Sequence, residues 1–238
     1  MARDQIFFGR QVLKEALQQK LKVQEIYFEG KHDKEYCENI LRSFSQPVSL
    51  VHNLPREVPG AHAQGVAFRI DHEFYLDSLP EDFEEKFPRI LLLNHLQDVQ
   101  NLGAIIRSAA AFGFDLLVHE NRRSVQLSPT AVRISQGQAF RVKFWEPSNL
   151  SPFIDKLRDR GFEVVGLDLE KAGPLFRWKP APRVAFVLGS EESGIQKSLL
   201  DRLDQCLKIP IQANVESLNV SHAASIAMAW VFGSSASK

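Results

Sequence analysis

Cysteine is scarce in this sequence, since only Cys37 and Cys206 occur among the 238 residues and they lie far apart. This scarcity argues against a disulfide framework and favours a reducing cytosol, so we expect a cytoplasmic protein. Long hydrophobic runs are also missing. The longest, 90–93 and 184–188, fall far short of the roughly 18 residues that a membrane span needs. The first ten residues lack the apolar region and cleavage site of a secretory signal, so we expect neither secretion nor membrane association.

An excess of charge of one sign is absent too, because 29 Lys and Arg residues balance 29 Asp and Glu residues. The protein is therefore not a polycation, and any contact with nucleic acid must come from local patches. Acidic residues concentrate in segment 71–88, which also contains two prolines. We interpret this segment as a linker, with a solvated surface helix as the alternative. It separates two compositional units, 1–70 and 89–238.

Several motifs of nucleotide-binding and hydrolytic enzymes are missing. The sequence has no G-x-G-x-x-G after a predicted strand, no P-loop and no G-x-S-x-G elbow. These absences disfavour a nicotinamide-dependent enzyme, a P-loop NTPase and a generic nucleotide-binding α/β enzyme. The seven histidines show no metal-ligand spacing with one another or with the cysteines, so we expect no metal.

Strands and helices alternate along both units. In the second unit, strands are predicted at 90–93, 115–119, 142–145, 163–169, 184–188 and 206–211, and helices at 104–112, 152–160, 196–203 and 221–232. This alternation predicts an α/β fold with a mostly parallel sheet, in which ligands bind beyond the carboxyl ends of the strands. The first unit is predicted to be a small α/β domain with helices at 11–20 and 33–44, the second of them capped by Asp33.

The first of three polar loops follows the strand predicted at 90–93. Asn101 is a polar loop residue, and Gly103 lets the backbone approach another group closely. Arg107 lies on a helix that is otherwise small and apolar, where a guanidinium is costly unless it is paired or binds an anion. Arg107 therefore binds an anion, pairs with a carboxylate or reaches solvent, and the loop alone leaves these alternatives open.

The second polar loop follows the strand at 184–188. It places an acidic pair, Glu191 and Glu192, between Gly189 and Gly194. Its simpler interpretation is a glycine-containing turn that caps the next helix.

The third polar loop leads from the strand at 206–211 into the helix at 221–232. Ser217, Asn219 and Ser221 are all residue types that cap helix N-termini. One helix start needs one cap, so the remaining polar residues indicate a binding or catalytic site.

Taken together, the three loops resemble the motifs of the SpoU (TrmH-type) RNA ribose methyltransferases of the SPOUT superfamily. The pattern N-x-G-x-x-x-R occurs as Asn101, Gly103 and Arg107, the pattern G-x-E-x-x-G as Gly189, Glu191 and Gly194, and the pattern S-L-N-V-S as residues 217–221. The resemblance covers about residues 89–233. Three departures, Val99, Gln138 and His222, remove none of the expected catalytic residues.

This resemblance implies a catalytic domain over 89–238 that transfers the methyl group of S-adenosyl-L-methionine to a ribose 2′-oxygen of RNA. It also implies a C-terminal trefoil knot that forms the cofactor pocket, and a homodimer. The residues expected to be catalytic are Asn101, Arg107, Glu191, Ser217 and Asn219. The residues expected to contact the cofactor, largely through their backbone, are Leu188, Gly189, Ile209 and Leu218.

The expected roles follow from the chemistry. A ribose hydroxyl is a poor nucleophile, so developing oxyanion charge must be stabilised, and we assign this task to Arg107. A base role for this arginine is less natural because a guanidinium stays protonated. Asn101 and Asn219 are expected to position Arg107 and the ribose. Glu191 is expected to orient Arg107 or, alternatively, to stabilise the following helix N-terminus.

Residues 1–70 resemble the L30e-like substrate-binding domain that often precedes this catalytic domain. The family's G-R-x-x-V-x-E-A-L is similar to residues 9–17, shifted by one residue, and its H-Q-G-V is similar to residues 62–66 with Ala63 inserted. Within the family this domain most often accompanies guanosine methylation of large-subunit ribosomal RNA. Transfer RNA is the alternative substrate, and resistance methylation of ribosomal RNA is a third.

RNA contacts are expected from basic residues that cluster after the first βαβ unit. They are Arg122, Arg123, Arg133, Arg141 and Lys143, which could bind phosphates or could simply be exposed basic residues. A non-catalytic RNA-binding protein that keeps the fold is the competing hypothesis. The intact Asn101, Arg107, Glu191 and Asn219 argue against it.

Overall fold

The structure, a computed structural model, describes residues 5–45, 47–59, 63–120, 124–168, 172–190 and 194–236. The strands are β1 (Gln5–Phe8), β2 (Val23–Phe28), β3 (Ser49–His52), β4 (Val66–Ile70), β5 (Arg89–Leu93), β6 (Leu116–His119), β7 (Lys143–Trp145), β8 (Glu163–Leu167), β9 (Gly173–Pro174), β10 (Val184–Leu188) and β11 (Gln205–Lys208). The α-helices are α1 (Arg10–Gln18), α2 (Lys31–Phe44), α3 (Phe83–Lys86), α4 (Val99–Phe112), α5 (Pro129–Ile134), α6 (Leu150–Asp159), α7 (Lys197–Leu200) and α8 (Val220–Ala236).

The chain divides into two compact units. The first consists of Met1–Phe74 with Leu127–Arg141, and the second of Tyr75–Gln126 with Val142–Lys238. Residues 127–141 therefore group with the first unit, although they lie in the span that the sequence assigns to the catalytic domain. Within the described ranges, every helix is too short or too polar to cross a bilayer.

The first unit is built on a four-stranded sheet of order β1-β4-β2-β3. Strand β4 pairs antiparallel with β1 and β2, whereas β2 and β3 are parallel. Helix α1 has an apolar face that is buried, with Val12, Leu13, Ala16 and Leu17 all inaccessible. The L30e-like assignment and the substrate-binding role of this unit stay predictions.

A buried carboxylate lies on α1 of the first unit. Glu15 is 3% exposed, and its oxygens accept hydrogen bonds from Gln19 Nε2 at 3.0 Å, Gln138 Nε2 at 3.2 Å and Arg141 Nε at 2.7 Å. A buried charge is tolerated only when it is paired and hydrogen-bonded in this way. The pair with Arg141 therefore holds segment 138–141 to α1 within this unit.

The cap predicted for the second helix of this unit is wrong. Helix α2 begins at Lys31 with Gly30 as the N-cap, and Asp33 is the third helical residue. Asp33 Oδ2 accepts a hydrogen bond from the backbone N of Gly30 at 3.0 Å. The carboxylate thus satisfies a free amide at the helix start from inside the first turn, which is the reciprocal half of a capping box.

The second unit is built on a seven-stranded sheet of order β7-β6-β5-β10-β8-β11-β9, in which every pair is parallel. All five residues of β10 are buried, as expected for a central strand covered on both faces. The α/β class and the large parallel sheet that the sequence predicts are confirmed. The trefoil knot stays a prediction.

The acidic segment 71–88 contains ordered structure. It includes α3, whose Phe83 is fully buried and lies 6.1 Å from the rings of Phe153 and Phe162. An apolar side chain that enters the core in this way anchors residues 75–88 to the second unit.

The last residue of β6 is a buried histidine, His119. His119 is 1% exposed, its Nε2 lies 3.3 Å from the Tyr75 hydroxyl, and its Nδ1 lies 3.5 Å from Glu146 Oε1. Burial lowers the pKa of His119, and the nearby Glu146 carboxylate opposes this effect only in part. The imidazole is therefore harder to protonate in the folded protein than in the unfolded chain.

We expect the free energy of unfolding to fall as the pH drops below about 6.5, the ordinary pKa of histidine, because the unfolded state then binds more protons. His119→Gln should flatten this pH dependence, since it removes the titrating group. Urea denaturation at a series of pH values between 7.5 and 5 measures the difference. His32→Gln, at an exposed position, is the control. The same slope in the wild type and in His119→Gln would contradict the assignment.

Candidate functional site

The carboxyl ends of four adjacent strands of the second unit lie at one edge of the sheet. Leu188, the last residue of β10, is level with Leu93 of β5 and with Leu167 of β8, which in turn is level with Leu207 of β11. The three polar loops of the sequence follow β5, β10 and β11, so all three begin at this edge. This is the edge where parallel α/β sheets bind their ligands.

Helix α4 begins earlier than the sequence predicts. Asp98 is its N-cap, with Oδ1 accepting from the backbone N of Gln100 at 2.8 Å, so the helix starts at Val99 rather than at residue 104. Asn101 and Gly103 were expected in a loop, and that expectation is wrong. Both are buried in the first turns of α4. The cap and the burial outweigh the low helix propensity of these two residue types.

Arg107 lies on the same helix, and its side chain is exposed. In the part of the chain that the structure describes, it makes no hydrogen bond or ion pair. The structure therefore excludes one of the three alternatives for Arg107, namely an ion pair with a carboxylate among the residues that the structure describes. The guanidinium reaches solvent, where its donors are available to an anionic group.

The third loop ends in a helix cap. Asn219 Oδ1 accepts hydrogen bonds from the backbone N of Ser221 at 2.8 Å and from its hydroxyl at 2.6 Å, so Asn219 caps α8. The side chain is exposed, and among described residues its Nδ2 has no partner. Ser217 is exposed and Leu218 is half-buried. The cap therefore uses only the oxygen of Asn219 and leaves its amide nitrogen available as a donor.

Helices α4 and α8 pack side by side and run in the same direction. Ser108 Oγ is 2.7 Å from Ser225 Oγ, and farther along both helices the rings of Phe112 and Phe232 are 6.0 Å apart. Asn101 precedes Ser108 by about 10 Å along its helix, and Asn219 precedes Ser225 by about 9 Å. Asn101 of the first motif and Asn219 of the third are thus brought to the same level at the N-terminal ends of the two helices. Arg107 lies about 9 Å farther along α4 than Asn101.

The glycines of the second loop have a steric explanation. A Cβ on Gly189 would lie 2.1 Å from the carbonyl carbon of Gly194, and Gly194 itself has φ +64°. Between them, Ser190 and Gly194 exchange two backbone hydrogen bonds of 3.1 Å. The backbone at Gly189 and Ser190 therefore lies directly against the backbone at Gly194, which leaves no room for a side chain at Gly189. Glu191 lies outside the described residues.

Asn94 is a site residue that the sequence reasoning missed. It is fully buried directly after β5, and its backbone N donates to Leu188 O at 2.8 Å. Its side chain accepts from the backbone N of Gln196 at 3.0 Å and donates to Gln196 Oε1 at 3.3 Å. Asn94 thus ties the end of β5 to both ends of the second loop. A polar residue directly after a buried strand was the signal available in the sequence.

Comparison with known proteins identifies the family to which the chain belongs. Residues 88–229 match the model of the SpoU rRNA Methylase family. A TrmH family tRNA/rRNA methyltransferase of Staphylococcus aureus is 32% identical, with 96% of each chain covered. The chain belongs to the SpoU family of RNA methyltransferases.

Two solved structures of SpoU/TrmH proteins share the fold over nearly the whole chain. The SpoU methyltransferase AviRb from Streptomyces viridochromogenes, in complex with AdoMet, has a TM-score of 0.78 at 20% identity, and the match covers 98% of this chain and 91% of AviRb. An RNA methyltransferase of the TrmH family from Porphyromonas gingivalis has a TM-score of 0.70 at 25% identity, with 95% and 88% covered. S-adenosylmethionine is the cofactor of the SpoU family.

Three of the residues expected to contact the cofactor, Leu188, Gly189 and Ile209, lie at the same edge of the SpoU sheet. Leu188 and Gly189 are buried at the end of β10, and Leu188 O already accepts from Asn94. Ile209 follows β11 and is half-buried, as is Leu218 before α8. Their contact with S-adenosylmethionine stays a prediction.

The basic residues expected to bind RNA lie in different places. Arg122 and Arg123 lie outside the described residues. Arg133, on α5, is half-buried in the first unit, and Arg141 Nε is held by the buried Glu15 of that unit. Lys143 begins β7 of the second unit. Among described residues, no group of three or more His, Cys, Asp or Glu side chains could hold a metal ion.

Proposed function

We propose that this SpoU-family protein methylates a ribose 2′-oxygen of RNA, and that its substrate is a guanosine of large-subunit ribosomal RNA. The observation that carries the proposal is the placement of the first and third motifs. The exposed Arg107 lies on α4, and Asn101 of the same helix is level with Asn219 of α8, whose amide is available. Transfer RNA is the alternative substrate, and a non-catalytic RNA-binding protein is the alternative of another class.

The cofactor proposal is supported by the residues at the carboxyl ends of β10 and β11. Ile209 and Leu218 are apolar and half-buried, which suits an adenine ring. When bound, S-adenosylmethionine supplies an electrophilic methyl group on a sulfonium. The chain's own residues must then align the ribose hydroxyl and stabilise its developing charge.

Arg107 is proposed to stabilise the 2′-oxygen as its negative charge develops, or to bind a neighbouring phosphate that takes the proton. Its guanidinium remains charged throughout, so it acts as a donor and not as a base. Asn219 is proposed to donate a hydrogen bond from its Nδ2 to the ribose. The buried Asn101 is proposed to help position Arg107 on α4. Glu191 and Ser217 are proposed as further members of the site.

The choice of ribosomal RNA is supported by the first unit. Its sequence resembles the domain that accompanies guanosine methylation of large-subunit ribosomal RNA, and its four-stranded sheet with two flanking helices is a separate compact unit. To test the choice, 2′-O-methylation is mapped across ribosomal and transfer RNA from cells lacking the gene. One site lost from ribosomal RNA, and restored by the wild-type gene, is the expected result. A site lost from transfer RNA would select the alternative substrate.

We also propose a homodimer through α8. This helix is apolar nearly all round, and a helix of that composition is normally buried. Phe232 on α8 and Phe176 are each 46% exposed, and Phe176 lies 5.5 Å from the ring of Trp230. A second copy of the chain that covers this surface would remove it from water.

Sedimentation at micromolar concentration should therefore show a particle of about twice 27.0 kDa. Phe232→Glu should shift the protein to the monomer, because a charge would be placed in the interface. Far-UV circular dichroism checks that this variant keeps its fold. A wild-type protein that sediments as a monomer would rule out the dimer.

A further inference from the structure

A polar cleft lies beyond the carboxyl ends of β5, β6 and β7 in the second unit. It has a volume of about 400 Å³ and contains His95, Glu120, Ser148, Asn149 and Gln196 among its lining residues. Pockets of about 300–1,000 Å³ are typical for small ligands and single groups of larger ones. Of these five residues, only Gln196 also takes part in the site described above, through its hydrogen bonds with Asn94. We call this feature the Glu120 cleft.

The carboxylate of Glu120 is held in a fixed orientation. Its Oε1 accepts a hydrogen bond from the backbone N of Leu150 at 3.1 Å, and its Oε2 lies 3.4 Å from His95 Nε2. His95 is held in turn by Gln196, whose Nε2 lies 3.5 Å from His95 Nδ1. The side chains of Glu120 and His95 are each 16% exposed. An ionised carboxylate has about four acceptor positions, so one position on each oxygen remains for a ligand.

The chemistry of the lining selects the ligand. The charged carboxylate in the described lining is that of Glu120, which accepts hydrogen bonds and repels a phosphate. The group bound here must therefore present hydrogen-bond donors. A carboxylate with an acceptor position on each oxygen matches two adjacent N–H groups, and among the RNA bases only guanine has these, at N1 and N2 of its Watson–Crick edge. Adenine and cytosine present a donor beside an acceptor, and uracil has one donor between two acceptors.

The cleft adjoins the candidate methyl-transfer site within the same unit. Gln196 on its wall donates its backbone N–H to Asn94, and Asn94 donates its own to Leu188 O, one residue before Gly189. His95 is the residue after Asn94, and the N-cap of α4 follows three residues later. A nucleotide that reaches the first and second loops therefore has a base-sized polar recess beside it.

We propose that the Glu120 cleft binds a guanine base of the RNA substrate, with the carboxylate accepting from N1 and N2. This inference rests on the proposed function, since it assumes that the ligand is RNA. Glu120 is then a specificity-determining residue: it selects the base and takes no part in the transfer of the methyl group.

Single-stranded RNA nonamers test the proposal. They carry one central guanosine, inosine or adenosine in a uridine background, and their affinity for the full-length protein is measured by fluorescence anisotropy in the presence of S-adenosylmethionine. Inosine lacks the 2-amino group of guanine and differs in nothing else. We expect the wild type to bind the guanosine nonamer about tenfold more tightly than the inosine nonamer, as a good bidentate base contact provides. This comparison does not depend on any variant folding.

Glu120→Gln should remove the preference for guanosine over inosine. The amide oxygen can still accept from the backbone N of Leu150, but one of the two free acceptors becomes a donor. Asp159→Asn is the matched control, because it removes one carboxylate from the exposed end of α6 and should leave the preference unchanged. Equal affinity of the wild type for the guanosine and inosine nonamers would overturn the proposal, as would a preference that survives Glu120→Gln. A loss of S-adenosylmethionine affinity in Glu120→Gln, measured by calorimetry, would overturn it as well by assigning the cleft to the cofactor.

Transfer of a labelled methyl group to total RNA from cells lacking the gene, in which the target 2′-hydroxyl is still free, separates the two proposals. Transfer without any preference for guanosine in the nonamers would contradict the Glu120 proposal alone. A guanosine preference without transfer to any RNA would support guanine binding in the cleft and contradict the proposed function.

Discussion

Arg107→Ala should lower the rate of methyl transfer to RNA by about 10²–10³-fold, the loss typical when one preorganised donor to a developing oxyanion is removed. The affinity for S-adenosylmethionine should be unchanged, because the expected cofactor contacts come from other loops. Single-turnover transfer of a labelled methyl group measures the rate, and calorimetry measures cofactor binding.

The fold should also survive this substitution. Arg107 is exposed, and since it has no ion pair or hydrogen bond within the described residues, its removal leaves none of their polar groups unpaired. Substitutions at such positions usually change the free energy of unfolding by less than about 0.5 kcal/mol. Arg56→Ala, at another exposed arginine, controls for the loss of one positive charge. Activity within about tenfold of the wild type, roughly 1.4 kcal/mol in the barrier, would show that Arg107 does not have the assigned role.

Arg107→Lys refines the same experiment. Lysine keeps the charge but lacks the planar fork of donors, so we expect a rate between those of the wild type and Arg107→Ala. A partial rate that persists from pH 7 to pH 8 would support charge stabilisation. A rate that rises steeply with pH in this variant would instead indicate that residue 107 acts as a base.

The parts of the fold that depend on local pattern could be predicted from the sequence. The apolar run of β10 indicated a strand covered on both faces, and the alternation of strands and helices indicated the parallel sheet. The start of α4 could not be predicted in this way, because Asn101 and Gly103 have low helix propensity. What decides their conformation is the Asp98 cap and the burial of both residues, and burial depends on the tertiary structure.

Contacts between distant parts of the chain left no readable signal. Glu15 and Arg141 are 126 residues apart, and neither residue suggests the other, yet their pair joins segment 138–141 to the first unit. Asn94 and Gln196 are 102 residues apart and link the first two loops. The loops themselves were found because glycine, asparagine and arginine stand out directly after apolar strands. The residues that connect the loops do not stand out in the same way.

The second large effect is expected at Asn219, where capping and catalysis can be separated. Asn219→Asp keeps an oxygen that accepts from the backbone N and hydroxyl of Ser221, so the cap of α8 remains. A negative charge at this helix N-terminus should preserve or raise the free energy of unfolding, by up to about 1 kcal/mol. The substitution removes the Nδ2 donor, however, and we expect the transfer rate to fall by about 10²-fold.

Asn219→Ala removes both functions and completes the comparison. It should show the same loss of rate together with a loss of about 1 kcal/mol in the free energy of unfolding, since the cap is gone. Ser128→Asp, at the N-cap of α5 in the first unit, controls for placing a carboxylate at a helix start. Single-turnover rates and urea denaturation measure the two effects on the same samples. If Asn219→Asp transfers methyl groups at the wild-type rate, then Asn219 serves only as the cap of α8 and the ribose must be oriented by other groups.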